Sequence, residues 1–106
     1  MKFLLFICVD PELPFDEQPG EINGWVDRAG AARLDGGPLR PPRTALTVRV
    51  RDGERVATDG PFATTKEFVA GFDLIECATR EDAVEIAAVH PVARFGAIEV
   101  RQLVDD

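Results

Sequence analysis

The order of hydrophobic periodicities along the 106-residue chain constrains its fold more than any other feature. Lys2–Val9 is a continuous apolar run, which is typical of a strand covered on both faces. An irregular Gly/Pro-rich segment follows a helical stripe, and strict alternation then begins at Thr44. Asp52-Gly53 interrupts this alternation and predicts a tight hairpin turn, with Glu54 to Thr58 returning antiparallel. The helical stripe consists of Ile22, Trp25, Val26 and Ala29.

The second half of the chain repeats the pattern of strand, helix and strand. Phe68 to Cys77 reads as a strand, with Gly71 at a bulge or a close approach. Thr79 is the expected N-cap of a helix that ends at His90, because Pro91 disfavours helical geometry at the residue before it. Ala97 to Leu103 alternates again and forms the last strand.

This order predicts an α+β fold of the ferredoxin-like βαββαβ type with an inserted β-hairpin. Both helices should lie on one face of an antiparallel sheet, as one domain over residues 1–106. The other sheet face would then expose alternate residues of apolar strands. Because large exposed apolar faces are usually interaction sites, we expect a second copy to cover it and predict a homodimer.

Composition limits the partners. Nineteen acidic and twelve basic residues give a net charge of −7, which repels phosphate backbones and argues against nucleic acid. No apolar run reaches the roughly 20 residues that span a bilayer, and the first strand lacks the features of a signal peptide. We therefore expect a cytoplasmic protein with no membrane partner.

Two cysteines and one histidine leave little room for metal chemistry. Cys8 and Cys77 each lie in or beside an apolar run, and buried thiols are the favoured interpretation. A disulfide between neighbouring strands is the alternative. No metal-binding spacing or phosphate loop is present, so neither a metal nor a cofactor is predicted.

Asp59 and His90 are the candidate catalytic residues. An aspartate in a turn normally accepts a hydrogen bond from the amide two residues on, but Pro61 has no N–H. Asp59 should therefore accept from the Phe62 or Thr64 amide and lock the loop, or remain available to a ligand. His90 has a suitable pKa for proton transfer, although a role in capping its helix is the favoured interpretation.

Further candidates for ligand binding are Arg40, Arg94, Phe62 and Lys66. Arg40, Arg43 and Arg94 flank Gly- or Pro-bearing loops and suit an anionic group, although solvation or pairing with acids is the favoured alternative. Phe62 is expected to anchor its loop in the core. Lys66 is expected in solvent rather than in an ion pair, and Thr64 and Glu67 have the spacing of a capping box for a single turn.

The segment TDGPFATTKE, residues 58–67, resembles the signature of DGPF proteins, a branch of the YciI-related group. The resemblance continues through HPVARFGAIEVRQL and includes GGPLRP upstream. It implies a dimeric α+β barrel in which two sheets pack face to face, and a bacterial origin. Some relatives are discussed as enzymes with a His-Asp pair, and others are linked with sigma-factor regulation. YciI-type chains tend to carry a histidine on the first helix, and this chain has none there.

Two functions are compatible with these features. The first is a ligand-binding or regulatory protein that acts through a protein partner, including one related to sigma-factor regulation. The second is a small-molecule enzyme of the lyase, isomerase or dehydrochlorinase type, with His90 and Asp59 as acid-base groups in the dimer cleft. The absence of a first-helix histidine favours the first.

Overall fold

Six strands and two α-helices follow one another in the order that the periodicities predict. The structure is a computed structural model and describes residues 1–105. The strands are β1 (Lys2–Val9), β2 (Arg33–Pro38), β3 (Leu46–Arg51), β4 (Glu54–Asp59), β5 (Phe68–Glu76) and β6 (Ala97–Gln102). The helices are α1 (Glu21–Ala29) and α2 (Arg80–Ala88), and no helix among these residues is long and apolar enough to cross a membrane.

The main sheet has four strands in the order β2-β5-β1-β6, and every neighbouring pair is antiparallel. The apolar first strand is therefore central, as its continuous hydrophobicity predicts. β2 lies at the edge, where its glycines and terminal proline disturb the ladder least. Gly71 on β5 approaches β2 closely, since a Cβ there would lie 2.9 Å from the backbone oxygen of Gly37. The close approach predicted at Gly71 is confirmed.

One face of the main sheet carries the core. Phe3, Leu5 and Ile7 alternate along β1 and pack with Trp25 of α1 and Ala83 of α2. Because one strand face meets residues of both helices, both helices lie on that face. Trp25 is 2% exposed, and its indole N–H donates to the backbone oxygen of Ile86 at 2.9 Å. Trp25, on the predicted helical stripe, therefore lies in the core.

Local signals set the start of the second helix and the hairpin turn, whereas the helix ends at Ala88, two residues before the predicted end at His90. The Thr79 side chain accepts a hydrogen bond from the Asp82 amide at 3.1 Å, as an N-cap should. Asp52 and Gly53 have φ values of 52° and 77°, the paired positive values that a tight hairpin turn requires. The Asp52-Gly53 turn therefore joins β3 to β4, which form a separate two-stranded sheet.

The face opposite the helices carries apolar side chains without a covering layer. Leu4 and Phe6 of β1 lie beside Leu74 and Phe72 of β5, and all four are only partly buried. The chain exposes 7573 Å², whereas a compact monomer of 11.6 kDa exposes about 5,800 Å². Its radius of gyration is 15.8 Å, against about 13 Å for a compact chain of this length. The single chain is therefore a flat slab with a bare sheet face and a protruding hairpin.

The cysteines are free and lie far apart along the same strand pair. Cys8 is near the end of β1, opposite Val69, whereas the Cys77 amide donates to Met1 at the other end of that strand. The alternative of a disulfide between them is wrong, because the antiparallel register separates them by the length of β1. Both thiols are partly rather than fully buried.

Candidate functional site

Two loops line an open groove of about 880 Å³ beside the start of β5. We call it the loop groove. One wall is the segment 39–45, which leads into the hairpin, and the other is the segment 61–69, which leads out of it. Its apolar lining includes Leu39, Pro41, Pro42, Pro61, Phe68 and Val69, and its polar lining includes Cys8, Arg40, Thr44, Thr64, Thr65 and Glu67. A mostly apolar cleft with a few polar groups is the usual form of a small-molecule site.

Backbone hydrogen bonds hold the two walls of the loop groove together. The Gly60 amide donates to the Ala45 oxygen at 2.7 Å, and the Leu39 amide donates to the Ala70 oxygen at 2.8 Å. Gly60 has a φ of 101°, so the chain can turn sharply out of β4 at that residue. Both ends of the groove are therefore fixed by the main chain, independently of the side chains that line it.

The proline pair shapes the first wall. Pro42 begins a short 3₁₀ turn, Pro42–Thr44, in which proline meets no steric or hydrogen-bonding penalty. The Thr44 amide and hydroxyl both donate to the Pro41 oxygen, at 2.9 and 2.7 Å. This turn presents Arg40 and Thr44 on the groove side.

Arg40 is the cationic side chain of the loop groove. It is exposed and forms no ion pair or hydrogen bond with another side chain among residues 1–105. Glu67 supplies a carboxylate to the same lining. Guanidinium groups bind planar carboxylates through two parallel hydrogen bonds. The structure thus places Arg40, which is predicted to bind a ligand, in the lining of the groove, where its guanidinium is available to an anionic group.

The Cys8 thiol also borders the loop groove. Burial raises its pKa above the ordinary value, and the nearby carboxylates of Glu99 and Glu67 raise it further. The group is therefore a neutral thiol near pH 7 and a poor nucleophile. It contributes apolar surface to the groove rather than a reactive anion.

Phe62 and Lys66 lie in the same loop but do not line the loop groove. Phe62 is 82% exposed and stacks under the Arg49 guanidinium at 5.7 Å, so the expectation that it anchors the loop in the core is wrong. Lys66 pairs with Glu12 at 2.8 Å and Asp10 at 3.4 Å, so its expected position free in solvent is also wrong. In both cases the loop lies on the surface, where Arg49 of the hairpin lies over Phe62 and two acids that follow β1 reach Lys66.

The single turn expected at Thr64 does not form. Residues 61–67 are irregular, and it is the Thr65 hydroxyl that donates to the backbone oxygen of Glu67. The capping-box spacing of Thr64 and Glu67 is therefore coincidental. A capping box needs a following helical turn, and the chain instead enters the extended β5 at Phe68.

Arg94 lies away from the loop groove. Its guanidinium donates to both Glu21 carboxylate oxygens, at 2.6 and 2.9 Å, and to the backbone oxygen of Asp16 at 2.7 Å. This bidentate pair lowers the pKa of Glu21 and joins the 3₁₀ turn before β6 to the start of α1. The arrangement matches the alternative of pairing with acids and leaves Arg94 occupied.

His90 lies in the core, 3% exposed. Its ring centroid is 4.6 Å from that of Trp25, and its Nδ1 accepts a hydrogen bond from the Val92 amide at 3.0 Å. Burial lowers its pKa from 6.5 to about 4, so the imidazole is neutral at physiological pH. It caps the 3₁₀ turn that follows it, Pro91–Arg94, rather than the end of α2, because α2 has already ended at Ala88.

Asp59 ends β4 and is exposed, opposite Leu46. Among residues 1–105 its carboxylate accepts no hydrogen bond, so it does not lock the loop. The lock is instead made by the Gly60 backbone, whose oxygen also accepts from the Thr47 hydroxyl at 2.8 Å. No hydrogen bond joins Asp59 to the buried His90 among these residues. The structure therefore does not assemble a His90–Asp59 pair within the described chain.

A buried ion pair on the helix side of the sheet was missed by the sequence analysis. Asp73 is 5% exposed and accepts from Arg33 Nε at 2.8 Å. Burial raises the pKa of Asp73, and the Arg33 guanidinium partly offsets that rise. The available signal was alternation: Asp73 falls two residues before the buried Ile75, and hence on the core face of β5.

No group of three histidine, cysteine, aspartate or glutamate side chains in the described part of the chain is arranged to hold a metal ion. The site offers instead an apolar cleft, one available guanidinium, several hydroxyls and one carboxylate. Such a set can bind and orient a small organic molecule.

Comparison with known proteins identifies a family and a similar protein sequence. A family model described as the YCII-related domain matches residues 4–105. An uncharacterized protein of Rhizobium meliloti strain 1021 is 43% identical over 67 residues. That match covers 61% of this chain and 54% of the relative, so the chain spans about half the length of the curated relative it matches.

A solved structure with a similar arrangement is that of a 5-chloro-2-hydroxyhydroquinone dehydrochlorinase from Burkholderia phenoliruptrix AC1100, in complex with 2,5-dihydroxybenzoquinone. The two chains are 14% identical, and the TM-score is 0.48 over 100% of this chain and 96% of the other.

Proposed function

The chain belongs to the family of YCII-related domains, and from that premise we propose that it is a homodimeric protein that binds a small anionic organic molecule in the loop groove. One observation carries the proposal: a mostly apolar groove whose walls are fixed by main-chain hydrogen bonds holds a guanidinium, that of Arg40, without a partner in the described chain. Apolar walls favour a ring or short hydrocarbon, and the guanidinium favours a carboxylate.

Charge selects against large polyanions at this site. The chain has a net charge of −7, and Glu67 lines the groove with Arg40. A single carboxylate is therefore a better match than a polyphosphate or a nucleic acid backbone. The proposal includes a regulatory role in which the ligand-bound protein acts on a protein partner, such as one related to sigma-factor regulation. Two free cysteines support a reducing, cytoplasmic setting.

The dimer is part of the proposal. The bare sheet face with Leu4, Phe6, Phe72 and Leu74 needs a cover, and the chain exposes about 30% more surface than a compact monomer of its mass. A second copy of the chain supplies a matching apolar face through a two-fold axis, in a dimeric α+β arrangement of two ferredoxin-like sheets. Light scattering at micromolar concentration should give twice the 11.6 kDa of one chain; a mass of one chain would contradict the dimer.

Binding can be tested with simple carboxylates and their neutral analogues. We expect benzoate and 4-hydroxybenzoate to raise the melting temperature of the wild-type protein, and benzamide to raise it less. Arg40→Gln should abolish the difference between benzoate and benzamide. Arg43→Gln is the matched control, since Arg43 lies in the same loop but does not line the groove. Calorimetric titration with the same compounds gives the affinities.

Two results would refute the binding site. Either no carboxylate stabilises the protein, or Arg40→Gln and Arg43→Gln weaken benzoate binding equally. The first removes the ligand class, and the second removes Arg40 as its anchor.

The enzymatic alternative has weaker support from the geometry. A lyase, isomerase or dehydrochlorinase that used His90 and Asp59 would need the imidazole to reach substrate and the carboxylate to orient it. His90 is buried against Trp25 with Nδ1 already engaged, and Asp59 is exposed on the hairpin. For these reasons we favour ligand binding over acid-base catalysis by this pair.

A further inference from the structure

The β3–β4 hairpin, residues 46–59, protrudes from the main sheet, and we refer to it as the arm. It forms its own two-stranded sheet and packs little against the other elements. At its base the Gly60 amide bonds to Ala45. Two-stranded hairpins without a covering layer are marginally stable in water. The arm therefore needs a partner surface that its own chain does not supply.

The two sides of the arm differ sharply. Leu46, Val48 and Val50 form an apolar row on one side and are 67%, 59% and 62% exposed. On the other side, the Thr47 hydroxyl donates to Gly60, and Arg49 lies over the Phe62 ring. The chain thus covers part of the polar side and leaves the apolar row open. Contiguous exposed apolar side chains of this kind mark an interaction surface.

Charges flank the apolar row at both ends. Residues directly opposite one another in an antiparallel pair point to the same side, so Arg55, opposite Val50, and Asp59, opposite Leu46, lie on the side of the row. The row therefore has a cation near the hairpin tip and an anion near the base. Arg55 and Asp59 are four residues apart on one strand, a span of roughly 13 Å, so they do not pair within the chain.

We infer that in the dimer the arms of the two subunits lie antiparallel with their apolar rows in contact, so that Arg55 of each meets Asp59 of the other. The two-fold symmetry of a dimer turns one arm end for end relative to its copy, and it forms every contact twice. The rows then cover each other, and each charged end faces its opposite. This inference rests on the proposed homodimer, and it gives Asp59 a role in the contact between the two subunits.

The first experiment compares lysine substitutions on the two sides of the arm by sedimentation equilibrium. V48K/V50K, on the apolar row, should weaken dimerisation by about 100-fold or more, since charges within a desolvated contact are strongly unfavourable. V56K/T58K adds the same charge on the opposite side and should change the dimer dissociation constant by about threefold or less. Trp25 fluorescence, from the core of the main sheet, shows whether each variant is folded.

The second experiment is a charge-reversal cycle at the two ends of the row. R55D and D59R should each weaken the dimer about tenfold, because each places like charges together twice in the interface. The double variant R55D/D59R should return to within about threefold of the wild type, because the opposite charges meet again. Rescue between residues that do not touch within one chain reports a contact between chains.

The outcomes distinguish failure of the proposed arm contact from failure of the proposed dimer. A monomeric wild type would overturn both. A dimer that tolerates V48K/V50K as well as V56K/T58K would overturn the arm contact and leave the dimer intact. Single and double charge reversals with additive effects would overturn the antiparallel pairing of the arms. Failure of benzoate binding would affect only the loop groove.

Discussion

Acid should destabilise this protein through His90, and the effect can be isolated from the carboxylates. The imidazole is 3% exposed, and burial lowers its pKa from 6.5 to about 4. In the unfolded chain it takes up a proton near pH 6.5, whereas the folded chain resists protonation down to pH 4. Between these values the unfolded state binds more protons, so stability is full above the unfolded pKa and is lost as pH falls toward the folded one.

The magnitude follows from the two pKa values. Each pH unit between them is worth about 1.4 kcal/mol, so His90 accounts for a loss of at most about 3–4 kcal/mol. Most of that stabilisation should be lost by about pH 4.5. The free energy of unfolding of a domain is only about 5–15 kcal/mol, so a loss of this size is readily measured.

His90→Asn is the perturbation that separates titration from structure. Asparagine keeps a side-chain oxygen able to accept the Val92 amide and cap the 3₁₀ turn, but it does not titrate. It loses ring contact with Trp25, which should lower stability at neutral pH by about 1 kcal/mol. At about pH 4.5 the order should reverse, with His90→Asn the more stable protein.

The assay is urea unfolding followed by Trp25 fluorescence. Trp25 is the single tryptophan and lies in the core, so its emission reports global unfolding. Both proteins are measured at the same concentration, because dimerisation contributes to apparent stability. The surface carboxylates titrate alike in both proteins and cancel in the difference. If the stability gap stays constant within about 0.5 kcal/mol from pH 7 to pH 4.5, His90 does not stay neutral in the fold and the reasoning is wrong.

Two further substitutions, each with a matched control, test the contacts of Asp73. Gly36→Ala should lower the free energy of unfolding by about 2 kcal/mol or more, because the added Cβ would collide with Asp73 Oδ1. Gly37→Ala should leave it nearly unchanged in the same urea assay, because a Cβ at Gly37 meets nothing within 4 Å. Arg33→Gln should lower the free energy of unfolding by about 2–3 kcal/mol at neutral pH, and by less in acid, because the raised pKa of Asp73 lets its carboxyl group become neutral there. Arg101→Gln, which removes an exposed ion pair at 4.0 Å, should lower it by less than about 1 kcal/mol. Equal effects of the two glycine substitutions, or of the two arginine substitutions, would contradict these assignments.

Much of the fold could be predicted because its signals are local. The central position of β1 follows from an uninterrupted apolar run, and the β3–β4 turn follows from Asp52-Gly53, which adopts the positive φ values the turn requires. The cap at Thr79 follows from a side chain and an amide three residues apart. Each of these depends on a few consecutive residues and on backbone sterics, which neighbouring chain segments do not change.

The candidate site could be predicted only in part. Arg40 was identified because it flanks a proline-bearing loop, and it does line the groove. Phe62 and Lys66 were misplaced because their surroundings come from distant parts of the chain: Arg49 on the hairpin, and Glu12 beyond β1. An aromatic side chain carries no local signal that tells a loop surface from a core.

The sequence by itself determined the order of the strands and helices, the hairpin turn and the alternation along β3 and β6, because periodicity and backbone sterics act over a few residues. The tertiary structure decided which loops meet across the groove, that His90 is buried beside Trp25, and that the arm protrudes with its apolar row open. Those features depend on contacts between residues far apart in the chain, and such contacts are set by how whole faces pack rather than by any local pattern.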